Sequence, residues 1–373
     1  MSSRAACGRC WPRWRRRDMH FDFAVVGNGL LGAAVLHALS QESRRVVGFG
    51  APYGAQARYY SSHEDDSRLV RTHHDDAYWE ELTTRNLQLL RQVEEATGVT
   101  VFRPLPVYYR RGSSAAPPGS SLRAVATGPG RAHDLFDAED VHGGIVHPKE
   151  YIRALNALAV SRGARLHAAA VDRVVREGEG YRLVPHDGDS VTADVVISTR
   201  GAFSEEAPGT SGATLVGKVL IYCAAPRGAE QGAYCFIDSR PGASVFKDRY
   251  GFVQYRSEGR EALSKFGFTE ARYWRLRDPE DLRRWFQGGY QDYPYLREAL
   301  GCIEDFTGGG HRVVDIKPCA FTVTPDGKPL IRREHNHITM TGCNGSLAKC
   351  NQAFAHDALA QLGLGTAAGK AFH

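Results

Sequence analysis

The sequence predicts an α/β fold in which one domain is assembled from separated segments and a mixed-sheet domain is inserted between them. A strand, a tight turn, a helix and a second strand follow one another over residues 20–49. A further strand is predicted at 191–199, and a strand, a glycine-rich turn and a helix are predicted within 338–362. A chain of 373 residues is too long for one hydrophobic core. We expect the first domain to comprise 19–75, 142–202 and 311–373, and the second 76–141 and 203–310.

The composition favours a folded globular protein and argues against nucleic-acid or membrane partners. Hydrophobic residues make up 42% of the chain and charged residues 24%, both ordinary values. The net charge of +5 comes from the first 17 residues, which hold Arg4, Arg9, Arg13, Arg15, Arg16 and Arg17. Apolar runs stay shorter than the roughly 18 residues that a membrane span needs. We therefore expect a protein of the cytoplasm.

Residues 1–18 are expected to form a disordered basic leader, because no apolar stretch follows the arginines as it does in a secretory signal. Cys7 and Cys10 form a CxxC pair, but no second pair follows at metal-ligand spacing, so no metal site is predicted. The other six cysteines are scattered, and reduced thiols are the expected state without a signal peptide.

The first motif is a GxGxxG turn at residues 27–32, placed between the first strand and the first helix. Gly27 allows the tight turn, Gly29 lets a pyrophosphate approach the backbone amides, and Gly32 lets the helix pack closely on the strand. This context predicts a Rossmann-like dinucleotide site, with a glycine-rich turn of no function as the alternative. The acidic residue that often binds a ribose after the second strand is absent, since that strand reads VVGFG.

Other elements follow from periodicity and composition. Helices are predicted at 79–97 and 148–162, strands at 101–109, 166–175 and 181–185, and a loop at 112–130. Residues 313–331 are predicted to be strand with a TPDG turn. The aromatic residues between 222 and 255 are expected to be mostly core, although they could line an apolar pocket. The tract 274–285, with Arg275, Arg277, Arg283 and Arg284, is expected to be a solvated helix face.

Three further motifs carry polar or reactive side chains. They are the strings SSHEDDSRLVR at 61–71, CAFTVTPDG at 319–327 and GCNGSLAK at 342–349. The charges in the first string could equally form a solvated ion-pair face. Cys319 could be a buried apolar cysteine, and Lys349 could simply be exposed. A cation near the start of a helix is disfavoured by the helix dipole, so a functional reason for Lys349 is favoured.

Taken in this order, the four motifs resemble the monomeric sarcosine oxidase and N-methyltryptophan oxidase branch of the D-amino-acid-oxidase-like flavoproteins. The resemblance extends from Phe21 to Leu362 and includes the stretches 144–151 and 197–203. It implies an FAD-binding domain of Rossmann type, an inserted substrate domain, and a monomer.

The resemblance also implies roles for individual residues. Cys319 matches the cysteine joined to the flavin at its 8α carbon, and Arg68 matches the arginine beside the flavin ring. Arg71 and Lys349 match the pair that binds the substrate carboxylate, since a guanidinium and an ammonium together suit two carboxylate oxygens. The remaining expected flavin contacts are Gly27, Gly29, Leu30, Leu31, Gly32, Ser62, His63, Val171, Gly201, Gly342, Gly345, Ser346 and Lys349. His63 is also a candidate catalytic residue.

Three departures from the family pattern affect the expected activity. Glu64 stands where relatives carry a second histidine, and Phe321 where sarcosine-oxidising relatives place a tyrosine. The family lysine over flavin N5 is expected in the stretch 250–255, which contains none; Lys247 lies just upstream. We therefore expect oxidation of a C–N bond in a carboxylate-bearing amine other than sarcosine, with oxygen or another electron acceptor.

Other functions remain open at this stage. A glycine-oxidase-like deaminase would cleave an N-carboxymethyl amine, and a non-catalytic flavoprotein would bind flavin that no amine reduces. The glycine motif alone would also allow a nicotinamide-linked dehydrogenase, which gives no role to the second and third motifs.

Overall fold

A computed structural model describes residues 20–43, 45–50, 59–61, 66–111, 121–125, 135–204, 212–226, 232–240, 245–258 and 261–364. The expected leader, with Cys7 and Cys10, lies outside the described residues, as do Ser62, His63 and Glu64. The α-helices, numbered along the chain, are α1 (Leu30–Glu42), α2 (Ala77–Thr97), α3 (Pro148–Ser161), α4 (Pro279–Phe286), α5 (Leu296–Thr307) and α6 (Asn351–Gln361). None of these helices is both long enough and apolar enough to cross a bilayer.

The first sheet has eight strands and a parallel centre. Its strands are β1 (His20–Val26), β2 (Val46–Phe49), β9 (Arg165–His167), β10 (Val171–Glu177), β11 (Gly180–Pro185), β12 (Val191–Ser198), β19 (Leu330–Glu334) and β20 (His337–Thr341). β1 lies between β2 and β12, both parallel to it, while β9 and β20 extend the parallel region on either side. β10 and β11 add an antiparallel hairpin. This arrangement confirms the predicted α/β class.

One face of this sheet is covered by α1, α3 and α6, which pack against one another. Helix α1 is buried along most of its length because its residues are small and apolar, as Ala33, Ala34 and Val35 illustrate. Small side chains let the helix approach the sheet closely, which positions its first turn at the end of β1.

The second sheet has nine strands and is mainly antiparallel. Its strands are β5 (Val107–Arg110), β6 (Arg123–Ala124), β7 (Ala138–Asp140), β13 (Thr214–Pro226), β14 (Tyr234–Asp238), β15 (Phe246–Glu258), β16 (Glu261–Glu270), β17 (Trp274–Arg275) and β18 (Arg312–Val323). Aromatic side chains, among them Phe236, Phe246 and Phe268, fill a core between this sheet and α4 and α5. A small third sheet joins β3 (Arg68–Val70), β8 (Gly144–Val146) and β4 (Phe102–Pro104).

Two sequence predictions were wrong in detail. The strand expected at 101–109 is two strands, β4 and β5, which pair in different sheets on either side of residues 105–106. The tract 274–285 is not one solvated helix face: Trp274 and Arg275 form β17, which pairs with β13, and Trp285 is buried at 3% exposure. Arg277 and Arg284 do form ion pairs with Asp281 of α4, and Arg283 does so with Glu280, as predicted for a charged helix face.

Asn86 of α2 caps α6 from outside the helix. Its Oδ1 accepts hydrogen bonds from the backbone N–H groups of Gln352 at 2.9 Å and Ala353 at 3.1 Å. Asn86 is completely buried, and the residue that precedes α6, Cys350, makes no side-chain cap of its own. The start of α6 therefore depends on a side chain more than 260 residues earlier in the chain.

Replacing Asn86 by Ala should destabilise the protein, because two buried N–H groups would lose their acceptor. The expected loss is about 1–3 kcal/mol in the free energy of unfolding, measured by urea titration. Gln88→Ala, at an exposed position of the same helix, should change stability by less than about 0.5 kcal/mol. Equal effects of the two substitutions would contradict the capping role.

Candidate active site

The glycine turn at residues 27–32 has the backbone geometry that its sequence requires. Gly27 has a φ of +104°, and a Cβ at this position would lie 2.5 Å from the carbonyl oxygen of Thr199. A Cβ on Gly32 would lie only 1.7 Å from the carbonyl oxygen of Gly27. The Thr199 hydroxyl donates to the Gly27 carbonyl at 2.8 Å, which ties the turn to the end of β12. Both glycines are therefore obligatory here.

A cavity of about 450 Å³ begins at this turn and runs to the second sheet. At one end it is lined by residues 26–31, by Phe49 and Gly50 after β2, and by residues 169–171. At the other end it is lined by strands of the second sheet, including Lys218, Tyr250, Cys319 and Phe321. The cavity thus lies beyond the carboxyl ends of parallel strands, where open α/β sheets bind ligands.

The start of α1 suits an anionic ligand. Gly29 is its N-cap and supplies no side-chain acceptor, and the first turn contains no acidic residue. The first N–H groups of a helix lack partners within the helix, and the helix dipole adds partial positive charge at that end. A pyrophosphate at this point would accept hydrogen bonds from these N–H groups and would be attracted by the partial positive charge.

The turn at residues 342–346 is held against the end of β18. Asn344 donates its backbone N–H to Thr322 at 2.9 Å, and its Oδ1 accepts from the Thr324 N–H at 2.8 Å. The Gly342 N–H donates to the Thr322 hydroxyl at 3.0 Å. Gly342 and Gly345 have positive φ values of 79° and 69°. The third and fourth sequence motifs are therefore one structural unit, joined by hydrogen bonds through Thr322 and Thr324.

Lys349 follows this unit in the chain and lines the cavity. Lys349 ends the 3-10 turn Leu347–Lys349 that precedes α6, and it is 6% exposed. Burial, reinforced by the nearby Arg71, lowers the pKa of Lys349 well below its usual range. Arg71 follows β3 and lines the same cavity. Neither cation has a carboxylate partner among the described residues.

His74 and Tyr109 surround this pair of cations and were not predicted from the sequence. Burial, together with Lys349 and Arg71, lowers the pKa of His74 far enough to keep its ring neutral. Burial raises the pKa of Tyr109, although Arg71 opposes that shift. Asp75 also lines the cavity, but it forms no ion pair with Arg71 or Lys349. His74 and Tyr109 belong to no recognisable motif, so only the fold could have placed them.

The family lysine was expected in the stretch 250–255, which contains none, but the structure brings a lysine from another strand to the cavity. Lys265 of β16, outside the stretch 250–255, lines the cavity and is 2% exposed. Its Nζ donates to the Ser67 carbonyl at 2.7 Å and lies 5.3 Å from the centre of the Phe252 ring. Lys247 is exposed to solvent. The sequence did contain a signal: Lys265 is the one charged residue in the mostly apolar, buried run 262–268 of β16.

Cys319 lies on β18, half-buried, and lines the cavity. Trp285 donates its indole N–H to the Cys319 carbonyl at 3.1 Å, which fixes the strand at this point. Arg68 lies on β3, lines the cavity and contributes electrostatically to the pKa of Tyr250 and of Cys343. The cysteine, the arginine and Lys265 are therefore gathered at one end of the cavity.

The cavity brings together most of the residues predicted for the site. Its lining includes Gly27, Gly29, Leu30, Leu31, Arg68, Arg71, Val171, Gly201, Cys319, Gly342, Gly345, Ser346 and Lys349. Gly32 is set back from the cavity and packs against Gly27 and Thr199. Ser62 and His63 stay predictions.

The chain belongs to the family of FAD-dependent oxidoreductases. The family model described as "FAD dependent oxidoreductase" matches residues 22–350, nearly the whole described chain. The chain is also 30% identical over 345 residues to a protein named monomeric sarcosine oxidase from Streptomyces avermitilis, covering 85% of this chain and 86% of that protein. The family resemblance inferred from the motifs is thereby confirmed.

Solved structures share the fold. A mutant of NikD, described as an unusual amino acid oxidase essential for nikkomycin biosynthesis, superposes with a TM-score of 0.67 at 15% identity, covering 93% of this chain and 95% of NikD. A glycine oxidase from Geobacillus kaustophilus gives a TM-score of 0.61 at 16% identity, covering 90% and 93%. At these identities the likeness concerns the fold alone.

The residues present fit the cofactor that the family uses. The uncapped start of α1 and the close glycine turn suit the pyrophosphate, while the far end of the cavity offers Arg68 and Lys265 to a ring system. Phe49 ends β2, and Gly50 follows it at the position where an acid would bind ribose. Recognition of the adenosine ribose therefore depends on other groups in this chain.

Gly27→Ala should remove FAD binding while leaving the rest of the fold intact. The positive φ costs a non-glycine residue on the order of 1–3 kcal/mol, and the added Cβ would collide with the Thr199 carbonyl. Gly98→Ala is the matched control, because Gly98 also has a positive φ but no atom lies within 4 Å of its added Cβ. Flavin absorbance after gel filtration should fall by at least about tenfold for Gly27→Ala. Retention of flavin by that variant would contradict this geometry.

Proposed function

We propose that this chain oxidises a C–N bond in a small amine that carries a carboxylate, such as a secondary amino acid or a cyclic imino acid. When bound, FAD supplies the hydride acceptor. The protein supplies position and charge: it holds the carboxylate, orients the carbon next to nitrogen and surrounds the reacting atoms with fixed cations.

The observation that carries this proposal is the pair of cations Arg71 and Lys349. Both line the cavity, Lys349 is almost fully buried, and neither forms an ion pair with an acid of the described residues, although Asp75 lines the cavity too. Burying a charge without a partner is costly, so such a pair is best explained by an anion that arrives with the ligand. A planar guanidinium and a point-like ammonium suit the two oxygens of a carboxylate.

Lys265 supports oxygen as the electron acceptor. Reduction of oxygen begins with negative charge developing on it, and a buried cation stabilises that charge strongly in a medium of low polarity. Lys265 stands at the Arg68 and Cys319 end of the cavity, among Tyr222 and Phe252. This is the role that the family resemblance gave to a lysine which the sequence alone did not locate.

Covalent attachment of FAD to Cys319 is part of the proposal. Cys319 is half-buried and faces the cavity, unlike Cys223 and Cys235, whose thiols are buried and whose pKa values are raised by that burial. The proposal predicts an FAD-sized mass increment on the Cys319 peptide after acid denaturation, with the Cys343 peptide unmodified. Flavin released into the supernatant would instead favour the glycine-oxidase-like alternative.

The substrate side chain is proposed to be larger or more aromatic than that of sarcosine. Phe321 lines the cavity without a hydroxyl, and Tyr273 packs edge-on to it with ring centres 6.2 Å apart. Tyr250 and Phe252 line the cavity as well. Aromatic walls with a few charged groups are typical of sites for small organic ligands.

Binding of a carboxylate should weaken as pH rises. In the free protein burial and Arg71 lower the pKa of Lys349, and an anion beside it raises that pKa, so binding of the anion and protonation of Lys349 favour each other. Anaerobic titration of flavin absorbance with benzoate should therefore give a dissociation constant that increases with pH. Benzamide, which has no charge, should bind weakly and without this dependence.

Lys349→Met should remove the pH dependence and weaken benzoate binding by about 10- to 100-fold, the range expected for a charge-assisted hydrogen bond. Lys149→Met removes the same charge at an exposed site and should leave binding unchanged. If Lys349→Met bound benzoate as tightly as the wild type at every pH, the carboxylate site would lie elsewhere.

Lys265→Met should slow reoxidation of the reduced flavin by oxygen by at least about 100-fold, because the fixed cation beside the developing charge is lost. Anaerobic reduction by the amine substrate should change much less, and stopped-flow absorbance separates the two half-reactions. Lys247→Met is the control, since Lys247 lies on the neighbouring strand β15 but is exposed. A slow reoxidation in Lys247→Met, with normal reoxidation in Lys265→Met, would reverse the assignment.

A further inference from the structure

A second buried lysine, Lys218, stands directly opposite Cys319. In the antiparallel pairing of β13 with β18, Lys218 is the register partner of Cys319. Residues directly opposite each other in such a pair project to the same face, with Cβ atoms about 4.5–5.5 Å apart. Both side chains line the cavity, and Lys218 is only 6% exposed.

The neighbours of Lys218 hold its ammonium in place. Its Nζ donates to the Phe268 carbonyl at 2.6 Å, lies 3.9 Å from a carboxylate oxygen of Glu270 and lies 4.9 Å from the centre of the Phe321 ring. Glu270 is 1% exposed and accepts a hydrogen bond from the Tyr293 hydroxyl. The charge of Lys218 is therefore compensated, but its position is fixed on the cavity side of the sheet.

Lys218 has no task in the site described so far. Arg71 and Lys349 account for the substrate carboxylate, and Lys265 accounts for oxygen. Burial acts to lower the pKa of Lys218, but Tyr250, Glu270 and Cys319 outweigh that effect, and the pKa is raised overall. An electrostatic coupling to Cys319 thus accompanies the cross-strand geometry.

We propose that Lys218 is a positioning cation that favours the thiolate form of Cys319 and so promotes attachment of the flavin. A thiolate, not a thiol, is the nucleophile, and a neighbouring cation increases its population at neutral pH. This inference rests on the proposed covalent attachment to Cys319. It assigns to the unusual pair Lys218–Glu270 a role in maturation, distinct from turnover of the amine.

In the attachment step, the Cys319 sulfur forms a bond to the C8α carbon of FAD, where one C–H bond breaks. The proton from that bond returns by way of solvent to flavin N5, and the electron pair remains on the ring, so the product is a thioether to a two-electron-reduced flavin anion. Molecular oxygen then takes the two electrons, the N5 proton and one solvent proton, and leaves as hydrogen peroxide.

Charged and titratable groups from several elements lie around Cys319. Lys218 of β13, Tyr250 of β15 and Cys343 interact electrostatically with Cys319 itself, and Glu270 of β16, Arg68 and Tyr273 act on one or more of these three groups. Of these, Lys218 alone is the cross-strand partner of Cys319. If the pH dependence of flavin attachment changes when the charge of Lys218 is removed and not when that charge is kept, the effect belongs to Lys218 and not to the other groups.

The test uses flavin-free full-length protein, mixed with FAD and quenched in acid at intervals between pH 6 and pH 10. Mass analysis of the Cys319 peptide gives the rate of attachment. Lys218→Met combined with Glu270→Gln removes both charges and leaves no buried ion alone. Its attachment rate should fall about tenfold at neutral pH and recover at high pH, as a shift of one pKa unit requires. Lys218→Arg, which keeps the charge, should retain most of the rate.

Alkylation of Cys319 by iodoacetamide in the flavin-free proteins gives a second measurement that does not require FAD binding. The pH of half-maximal alkylation should lie higher in the double variant than in the wild type. If the double variant and the wild type had identical pH profiles in both measurements, and the wild type carried the FAD adduct, only the role of Lys218 would be overturned. Absence of the adduct in the wild type would overturn that role together with covalent attachment. Flavin reduction by carboxylated amines would then still test the oxidoreductase proposal separately.

Discussion

The pairing of β13 with β18 is the constraint on which the rest of the site depends. Its register places Lys218 opposite Cys319 and turns Phe321 into the cavity. Where β18 ends, Thr322 and Thr324 hold the turn that carries Asn344, and this turn leads to Lys349. A slip of one residue would turn the whole set of side chains to the opposite face. One strand pair thus fixes the proposed flavin attachment point and the proposed carboxylate site together.

The local motifs could be predicted from the sequence because their chemistry is local. The glycine turn requires a positive φ at Gly27 and a close approach of backbone atoms at Gly27 and Gly32. A motif of six residues is therefore enough to recognise both positions. The amphipathic pattern of α2 likewise predicted a helix at 79–97, against the observed 77–97. Lys265 and Lys218 were missed for the opposite reason. Lys265 contacts Ser67 and Lys218 pairs with Cys319, and both partners lie far away in the sequence, so no short pattern could assign these lysines to the cavity.

Buried cations dominate the electrostatics of the cavity. Lys218 has Glu270 within 3.9 Å, whereas Lys349 and Arg71 have no acid partner among the described residues. The difference is informative because a paired cation is stable without a ligand, while an unpaired one lowers stability until an anion arrives. The neutral ring of His74 adds no further positive charge. Under the proposed function, part of the folding free energy is given up to create an affinity for carboxylates.

The parallel centre of the first sheet has a consequence for how the protein matures. β1 pairs with β12, and the side chains of His20 and Thr192 meet across a separation of 172 residues. Asn351, at the start of α6, donates to the Leu30 carbonyl at a separation of 321 residues. Contacts between such distant residues form late, since long loops must close first. The nucleotide site is thus completed only when nearly all of the chain has been synthesised, and incorporation of FAD follows translation.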